Sequence, residues 1–347
     1  MFKGLTRLVS AAILVLFVFV ARPAFGRNYR YDFAVDKYFD SPYTGGQLPD
    51  TITPAIQANI NGAWRSLMSE MGAILAPQFL SPAETVGWNG FVLDFKYGFT
   101  SLSHSEDFWK YGVHGSPNPV ASTVSLEARK GIWMPLPSFE LGGGFTHLVD
   151  SHMFTVNLFA KFALHEGYHH WITPALAVRG YFQRLLGANQ INMTILSADV
   201  SASKSFGIAG SFNMTPYLGY NVFWVIARSD VMDYTPGIDA LQESSAADGS
   251  YSVPLGPGAY CNSSASEDCG SYYVFMDQKA ILRHRLFFGL RFHFTLNTKL
   301  RFMLSTEYAT TIRGVTDDSY QSGTTTFSLK DDANMQHTWS FSLGIDY

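Results

Sequence analysis

The chain has 347 residues, of which 47% are hydrophobic, 15% aromatic and 15% charged. This composition excludes a disordered or collagen-like chain, and the charged fraction lies below the roughly 25% that is typical of soluble globular domains. The net charge of −4 provides no basic surface for phosphate contacts, so the composition argues against a nucleic-acid partner.

The amino terminus has the organisation of a secretory signal peptide. Lys3 and Arg7 precede an uncharged apolar run at 8–21, and small residues follow up to Gly26. Because this run of about 14 residues is shorter than the roughly 20 that a helix needs to cross a bilayer, we predict cleavage near Gly26. Loss of residues 1–26 removes three basic residues and no acid, which leaves 21 basic and 28 acidic residues and a net charge of −7.

Residues 27–87 are predicted to form a separate segment that contains a helix. Thr53 and Pro54 are a favourable helix start, and Pro77 ends the pattern. Apolar residues recur between them at spacings of three and four, at Ile56, Ile60, Trp64, Leu67, Met71 and Ile74. Two locations of this helix are possible: it could be a plug inside a lumen, or a periplasmic helix on the rim or membrane surface. The spacing of the apolar residues alone does not identify the partner surface.

Residues 88–347 are dominated by alternating apolar and polar residues, the pattern of β-strands. We predict ten strands, at 88–100, 120–133, 138–149, 153–165, 170–182, 191–203, 206–227, 281–296, 298–312 and 336–347. Short connections alternate with mostly longer ones, of which the external loop 228–280 is the longest. The sequence therefore predicts an all-β fold, a transmembrane antiparallel up-and-down β-barrel of about ten strands. A break near Pro216 together with pairing of 324–330 would make it twelve.

The last strand has an aromatic-rich face that ends at the final residue. The residues on this face are Trp339, Phe341, Leu343, Ile345 and Tyr347. This ending resembles the C-terminal strand of bacterial outer-membrane barrels, in which the terminal aromatic is usually Phe. The resemblance implies the outer membrane of a Gram-negative bacterium, with outer-membrane lipids and the barrel-assembly machinery as partners.

The opposite faces of the strands carry charges of both signs. Those expected to line the lumen are Asp94, Lys96, Glu127, Arg129, Glu140, Lys161, Arg179, Asp199, Arg285, Arg291, Arg301 and Glu307. Buried charges have to be compensated, so we expect them to pair across a narrow interior. The alternative is a polar path through the barrel.

Two further motifs were considered as sites. Residues 165–169 match the HExxH pattern of zinc proteases, which must lie on a helix. Here the pattern lies between two predicted strands, so we interpret it as a hairpin turn and not as a zinc site. For the chain we predict no metal, no cofactor and no catalytic residue. Cys261 and Cys269 are predicted to form a disulfide in an oxidising compartment.

An exported barrel that follows a helix is similar in architecture to the FadL-type outer-membrane transporters. That resemblance implies a porin-like channel or transporter for small, hydrophobic compounds. One alternative is a closed structural or adhesive barrel. Another is a hydrolase that resembles the ten-stranded omptin proteases, with Glu106, Asp107, Asp150 and His152 at the external rim. We predict that the chain is not an enzyme.

Overall fold

A computed structural model describes residues 29–44, 53–88, 90–133, 138–166, 173–188, 191–209, 212–233, 258–259, 271–297, 300–314, 318–322 and 325–347. Ten strands form one antiparallel sheet in which each strand pairs with two neighbours. They are β1 (Phe91–Ser101), β2 (Val120–Ile132), β3 (Phe139–Leu148), β4 (Phe154–His165), β5 (Ala175–Leu186), β6 (Ile191–Ser203), β7 (Phe212–Ser229), β8 (Gln278–Asn297), β9 (Leu300–Thr311) and β10 (Gln336–Asp346).

The sheet closes on itself between its first and last strands. β1 and β10 are in register from Val92 opposite Asp346 to Thr100 opposite Thr338. Beyond that register, the backbone groups of Phe91 and Tyr347 exchange two hydrogen bonds of 3.0 and 2.8 Å. A closed sheet leaves no unpaired edge in hydrocarbon, and the predicted ten-stranded barrel is confirmed.

The two faces of the wall differ in polarity. In β10 burial alternates at every residue, and Trp339 and Leu343 are 51% and 63% exposed on the outer face. Large apolar side chains are exposed in the same way on the other strands, while charged and polar side chains are buried inside. A barrel with an apolar exterior and a polar interior is a membrane barrel.

Three predicted strands differ in detail from those observed. β5 begins only after Pro174, five residues later than expected. The predicted strand 206–227 is divided into a short strand, Phe206–Ala209, and β7. The segment Thr325–Leu329 pairs with Asp318–Ser322 as a hairpin outside the barrel, so it does not contribute to a twelve-stranded wall.

Three helical elements are separate from the wall: a 3-10 helix at Val35–Asp40, the 22-residue helix α1 at Pro54–Leu75 and the short helix α2 at Asp107–Lys110. Among the described residues, none of the helices has the length and apolar character needed to cross a bilayer. Because outer-membrane barrels have long external loops and short periplasmic turns, we assign the barrel end with the long connections, β1 to β2 and β7 to β8 among them, as the external end and the opposite end as the periplasmic end. Three further short strands, Met232–Asp233, Gly258–Ala259 and Ser271–Tyr273, pair within the longest external loop.

Candidate functional site: the lumen and the segment that fills it

The first element of the site is α1, whose bounds follow from local signals. The Thr53 hydroxyl accepts a hydrogen bond from Ile56 N at 3.4 Å, and Pro54 stands in the first turn, where its missing N–H is not needed. Pro77 prevents continuation beyond Leu75. The helix is buried on all sides over most of its length, since Asn61, Arg65 and Ser69 on its other faces are buried too. Of the predicted apolar positions, Ile56 is half-buried, and the buried ones are Ile60, Trp64, Leu67, Met71 and Ile74.

Contacts with three strands place α1 inside the external half of the barrel. Gly72 approaches β7 so closely that any side chain at this position would overlap Val225. Arg285 of β8 donates a hydrogen bond to Ala73 O at 2.6 Å, and Gln183 of β5 donates one to Leu75 O at 2.8 Å. A position on the periplasmic rim or the membrane surface does not fit these contacts.

The segment Tyr29–Thr44 covers the external end of the barrel. Phe33 forms a β-bridge with Val113 of the first long loop. Aromatic and aliphatic residues of this segment, of α1 and of the loops share one buried cluster, which includes Tyr31, Val35, Tyr38, Phe39, Trp64, Phe108, Trp109 and Phe275. We call the segment Tyr29–Thr44, together with the external loops that share this cluster, the external cap.

A buried carboxylate links α1 to two external loops. Glu70 is fully buried, and its oxygens accept hydrogen bonds from Ser103 N and Oγ, from Trp109 Nε1 at 2.7 Å and from Asn334 N at 3.1 Å. Each of these donors lies in an external loop that connects two strands. Glu70 therefore holds α1 against the loops of the external cap.

After α1 the chain runs along the lumen from Ala76 to Val86 without forming a helix or a strand, and we call this stretch the lumen strap. It makes its backbone hydrogen bonds with side chains of the wall. The N–H groups of Leu80, Ala83 and Val86 donate to Glu307, Ser203 and Glu140 at 2.8 to 3.0 Å. The carbonyls accept from wall cations, with Pro77 O bound by Arg285, Gln78 O by Lys96, Leu80 O by Arg291, and Pro82 O and Glu84 O by Lys161.

The predicted lumen charges pair with one another as well as with the lumen strap. The ion pairs are Lys96 with Glu127 (2.8 Å), Arg129 with Asp94 (3.0 Å), Lys161 with Glu140 (3.3 Å) and Arg179 with Asp199 (2.9 Å). Arg179 also lies over the ring of Phe79, 4.4 Å from its centroid. Eleven of the twelve predicted lumen residues are buried inside the wall; Arg301 lies at the periplasmic mouth, 48% exposed, and pairs with Asp346.

Three of the four residues proposed for an omptin-like site pair with other side chains. His152 Nδ1 pairs with Asp32 of the external cap at 2.5 Å, whereas Asp150 pairs with Arg30. Asp107 forms an ion pair with Lys110 in α2, and Glu106 is exposed. Sequence reasoning missed Asp32 because it lies 120 positions from His152 and has no motif around it.

The remaining sequence motifs are only partly described. His165 is the last residue of β4, so the HExxH pattern starts on a strand, and its residues 167–169 lie outside the described residues. Cys261, Cys269 and the predicted signal peptide also lie outside them. Within the part of the chain that the structure describes, no three His, Cys, Asp or Glu side chains are grouped to hold a metal ion.

The lumen strap had no signal of its own in the sequence, because it has neither helical nor strand periodicity. Pro77 and Pro82 are the one retrospective indication, since each lacks an N–H that would need a partner in a buried irregular segment.

The solved structures to which this chain is similar are β-barrels with low sequence identity to it. Neisserial surface protein A is 10% identical, with a TM-score of 0.26, over 76% of this chain and 96% of the other. The outer membrane protease OmpT from Escherichia coli is 8% identical, with a TM-score of 0.31, over 75% and 96%. The translocator domain of the autotransporter NalP from Neisseria meningitidis is 11% identical, with a TM-score of 0.33, over 85% and 99%.

No known family profile matches the chain, and no curated protein sequence matches it. The assignment therefore depends on the structure's own closure and on its apolar exterior. The chain is a β-barrel of the outer-membrane type whose lumen contains α1 and the lumen strap.

Proposed function

We propose that this protein lies in the outer membrane of a Gram-negative bacterium as a closed barrel and acts through its external cap at the cell surface. The observation that carries the proposal is the filling of the lumen by α1 and the lumen strap. The external half holds a buried apolar cluster, and the periplasmic half holds a paired charge network. A passenger would have to displace both.

A gated transporter for small, hydrophobic compounds is the second candidate. One observation favours it: the wall binds the lumen strap mainly through hydrogen bonds to charged side chains, among them Lys96, Lys161 and Glu307. Water or a partner can replace such bonds one at a time, whereas the apolar packing of α1 has no such substitute. The FadL-type resemblance remains a prediction, as does the absence of enzyme activity.

A reversible crosslink between α1 and the wall tests both candidates. An ideal Cβ on Gly72 lies 3.1 Å from Val225 Cβ, close to the 3.5–4.5 Å span of a disulfide. Gly72→Cys with Val225→Cys, in a background with Cys261→Ser and Cys269→Ser, gives a full-length barrel that oxidation locks and reduction releases. Val225→Cys alone in the same background, which leaves Gly72 unchanged, is the control.

The readout is the flux of a hydrophobic fluorescent fatty-acid analogue and of a polar dye through proteoliposomes. The closed-barrel proposal expects flux no greater than that of protein-free vesicles in the oxidised and the reduced form. Uptake of the hydrophobic probe that oxidation stops and reduction restores would overturn it in favour of the transporter. If the cap acts at the surface, attachment of cells that produce the protein to host or abiotic surfaces should fall when cap residues are substituted.

A further inference from the structure

A cavity of about 470 Å³ lies at the periplasmic rim, where the chain leaves the lumen to enter β1. It is bordered by the end of the lumen strap and by residues next to the short turns after β2 and β4. The lining residues that matter here are Thr85, Trp88, Trp133, Leu164, His165 and Glu166. The volume is in the range of small-molecule sites, and nothing in the proposed function uses this cavity.

One side of the cavity is open towards the bilayer. Trp88, Trp133 and Leu164 are 73%, 62% and 60% exposed. Leu164 has the outward orientation of the lipid-facing residues of β4, since its neighbour Ala163 is buried inside. Exposed tryptophans at a barrel rim lie at the level of the lipid headgroups.

The other side of the cavity is acidic. Glu166 Oε1 accepts a hydrogen bond of 2.6 Å from Thr85 Oγ1, whereas its buried Oε2 has no hydrogen-bond partner. Glu84 is close enough to interact electrostatically with Glu166. Burial raises the pKa of Glu84 and the charge of Glu166 adds to this, whereas the hydrogen bond from Ser205 and the charges of Lys161 and Arg291 lower it. None of the described residues that line the cavity is a lysine or an arginine.

We propose that this cavity binds the headgroup of a membrane lipid that carries a protonated primary amine. The ammonium group would pair with the carboxylate of Glu166 and lie near the tryptophan rings, which attract cations through their π faces. The acyl chains would continue along Leu164 into the bilayer. Charge complementarity favours this occupant, because an anionic headgroup would meet Glu166, and the described residues that line the cavity include no lysine or arginine.

Lipid retention tests the proposal on the full-length mature protein. The barrel is reconstituted in nanodiscs with equal amounts of phosphatidylethanolamine, phosphatidylglycerol and phosphatidylcholine, and the lipids that stay bound after transfer to detergent are quantified by mass spectrometry. We expect at least a tenfold preference for phosphatidylethanolamine over both other lipids, and we expect Glu166→Gln to abolish it. Glu106→Gln, which changes an exposed acid at the opposite rim, is the matched control and should leave the preference unchanged.

A second variant and a soluble probe keep the test decisive. Trp133→Leu should weaken retention several-fold while the barrel still migrates as a folded, heat-modifiable species. Glycerophosphoethanolamine, which has the headgroup without acyl chains, should not compete at millimolar concentration; effective competition would indicate a site for free amines and overturn the lipid assignment. Equal retention of the three lipids, or an undiminished preference in folded Glu166→Gln, would overturn the proposal altogether.

Discussion

The close packing of α1 against the wall at Gly72 gives a sharp prediction about stability. Replacement of a helix-interior glycine by alanine normally stabilises a helix by about 1 kcal/mol. At Gly72, however, the new methyl group would overlap both γ-carbons of Val225 and lie 3.1 Å from its β-carbon. Val225 lies in the external half of β7, paired with Ile195 of β6 and Ile281 of β8, so it has little freedom to retreat.

The magnitude follows from the two opposing terms. Overpacking of a rigid core costs about 1–3 kcal/mol, and the severity of this overlap indicates the upper part of that range. After the gain in helix propensity, we expect Gly72→Ala to lower the free energy of unfolding by about 2 kcal/mol. Urea unfolding in lipid vesicles, followed by tryptophan fluorescence, measures the change.

The same helix supplies the control. A β-carbon on Gly62 would meet Lys330 O at an ordinary 3.6 Å, so Gly62→Ala should stabilise the protein by up to about 1 kcal/mol. Combination of Gly72→Ala with Val225→Ala should recover part of the loss, which would show coupling between the two sites. If Gly72→Ala and Gly62→Ala raise the stability equally, α1 does not lie against β7 and the description of the filled lumen is wrong.

Four further predictions concern the lumen, the cap and the topology. Asp199→Asn leaves Arg179 buried without its anion and should cost about 3–5 kcal/mol in the same urea assay, a loss that a change below 1 kcal/mol would contradict. Glu70→Ala leaves several buried donors unpaired and should cost at least about 3 kcal/mol, with faster proteolysis of the external loops as a second readout; unchanged proteolysis would count against its role. Burial raises the pKa of the Asp331 carboxyl, so its contribution to stability is complete below the unfolded pKa of about 3.9 and is lost as the pH rises through the folded value; Asp331→Asn should flatten this part of a stability profile between pH 3 and 7, and an unchanged slope would refute the assignment. An epitope inserted immediately before Tyr29 should bind antibody on intact cells, since the external cap lies at the end with the long loops; binding only after permeabilisation would reverse the topology.

The sequence predicted the structure well in the strands, where the bilayer imposes an alternation of apolar and polar side chains. Alternation identified all ten wall strands, because every outward position faces lipid and every inward one faces the lumen. The displaced start of β5 is explained by Pro174, which has no N–H for the ladder. Pro216 is tolerated in β7 because β6 has ended there, with Ser203 opposite Tyr217 as the last pair.

The contents of the lumen were less predictable. The helix was recognisable from its caps and its apolar spacing, but its location depends on contacts such as Gly72 with Val225, which are 153 positions apart in the chain. The lumen strap depends on side chains of the wall for its hydrogen bonds, so its conformation is not encoded within its own residues. Likewise, the partner of His152 could not be identified from the loop that carries it, because Asp32 arrives from another segment.

The course of the chain through the lumen constrains the order of assembly. The external cap and the start of β1 lie at opposite ends of the barrel, and the lumen strap connects them through a ring that is sealed by β1 and β10. If this ring closed first, α1 with Trp64 would have to be threaded through a narrow ten-stranded barrel that is lined by charged side chains. We therefore expect the ring to form around a chain that is already in place, with the union of the first and last strands as the final step. Contacts this distant in sequence have a large loop-closure cost, so folding should be slow and the finished barrel should be kinetically trapped.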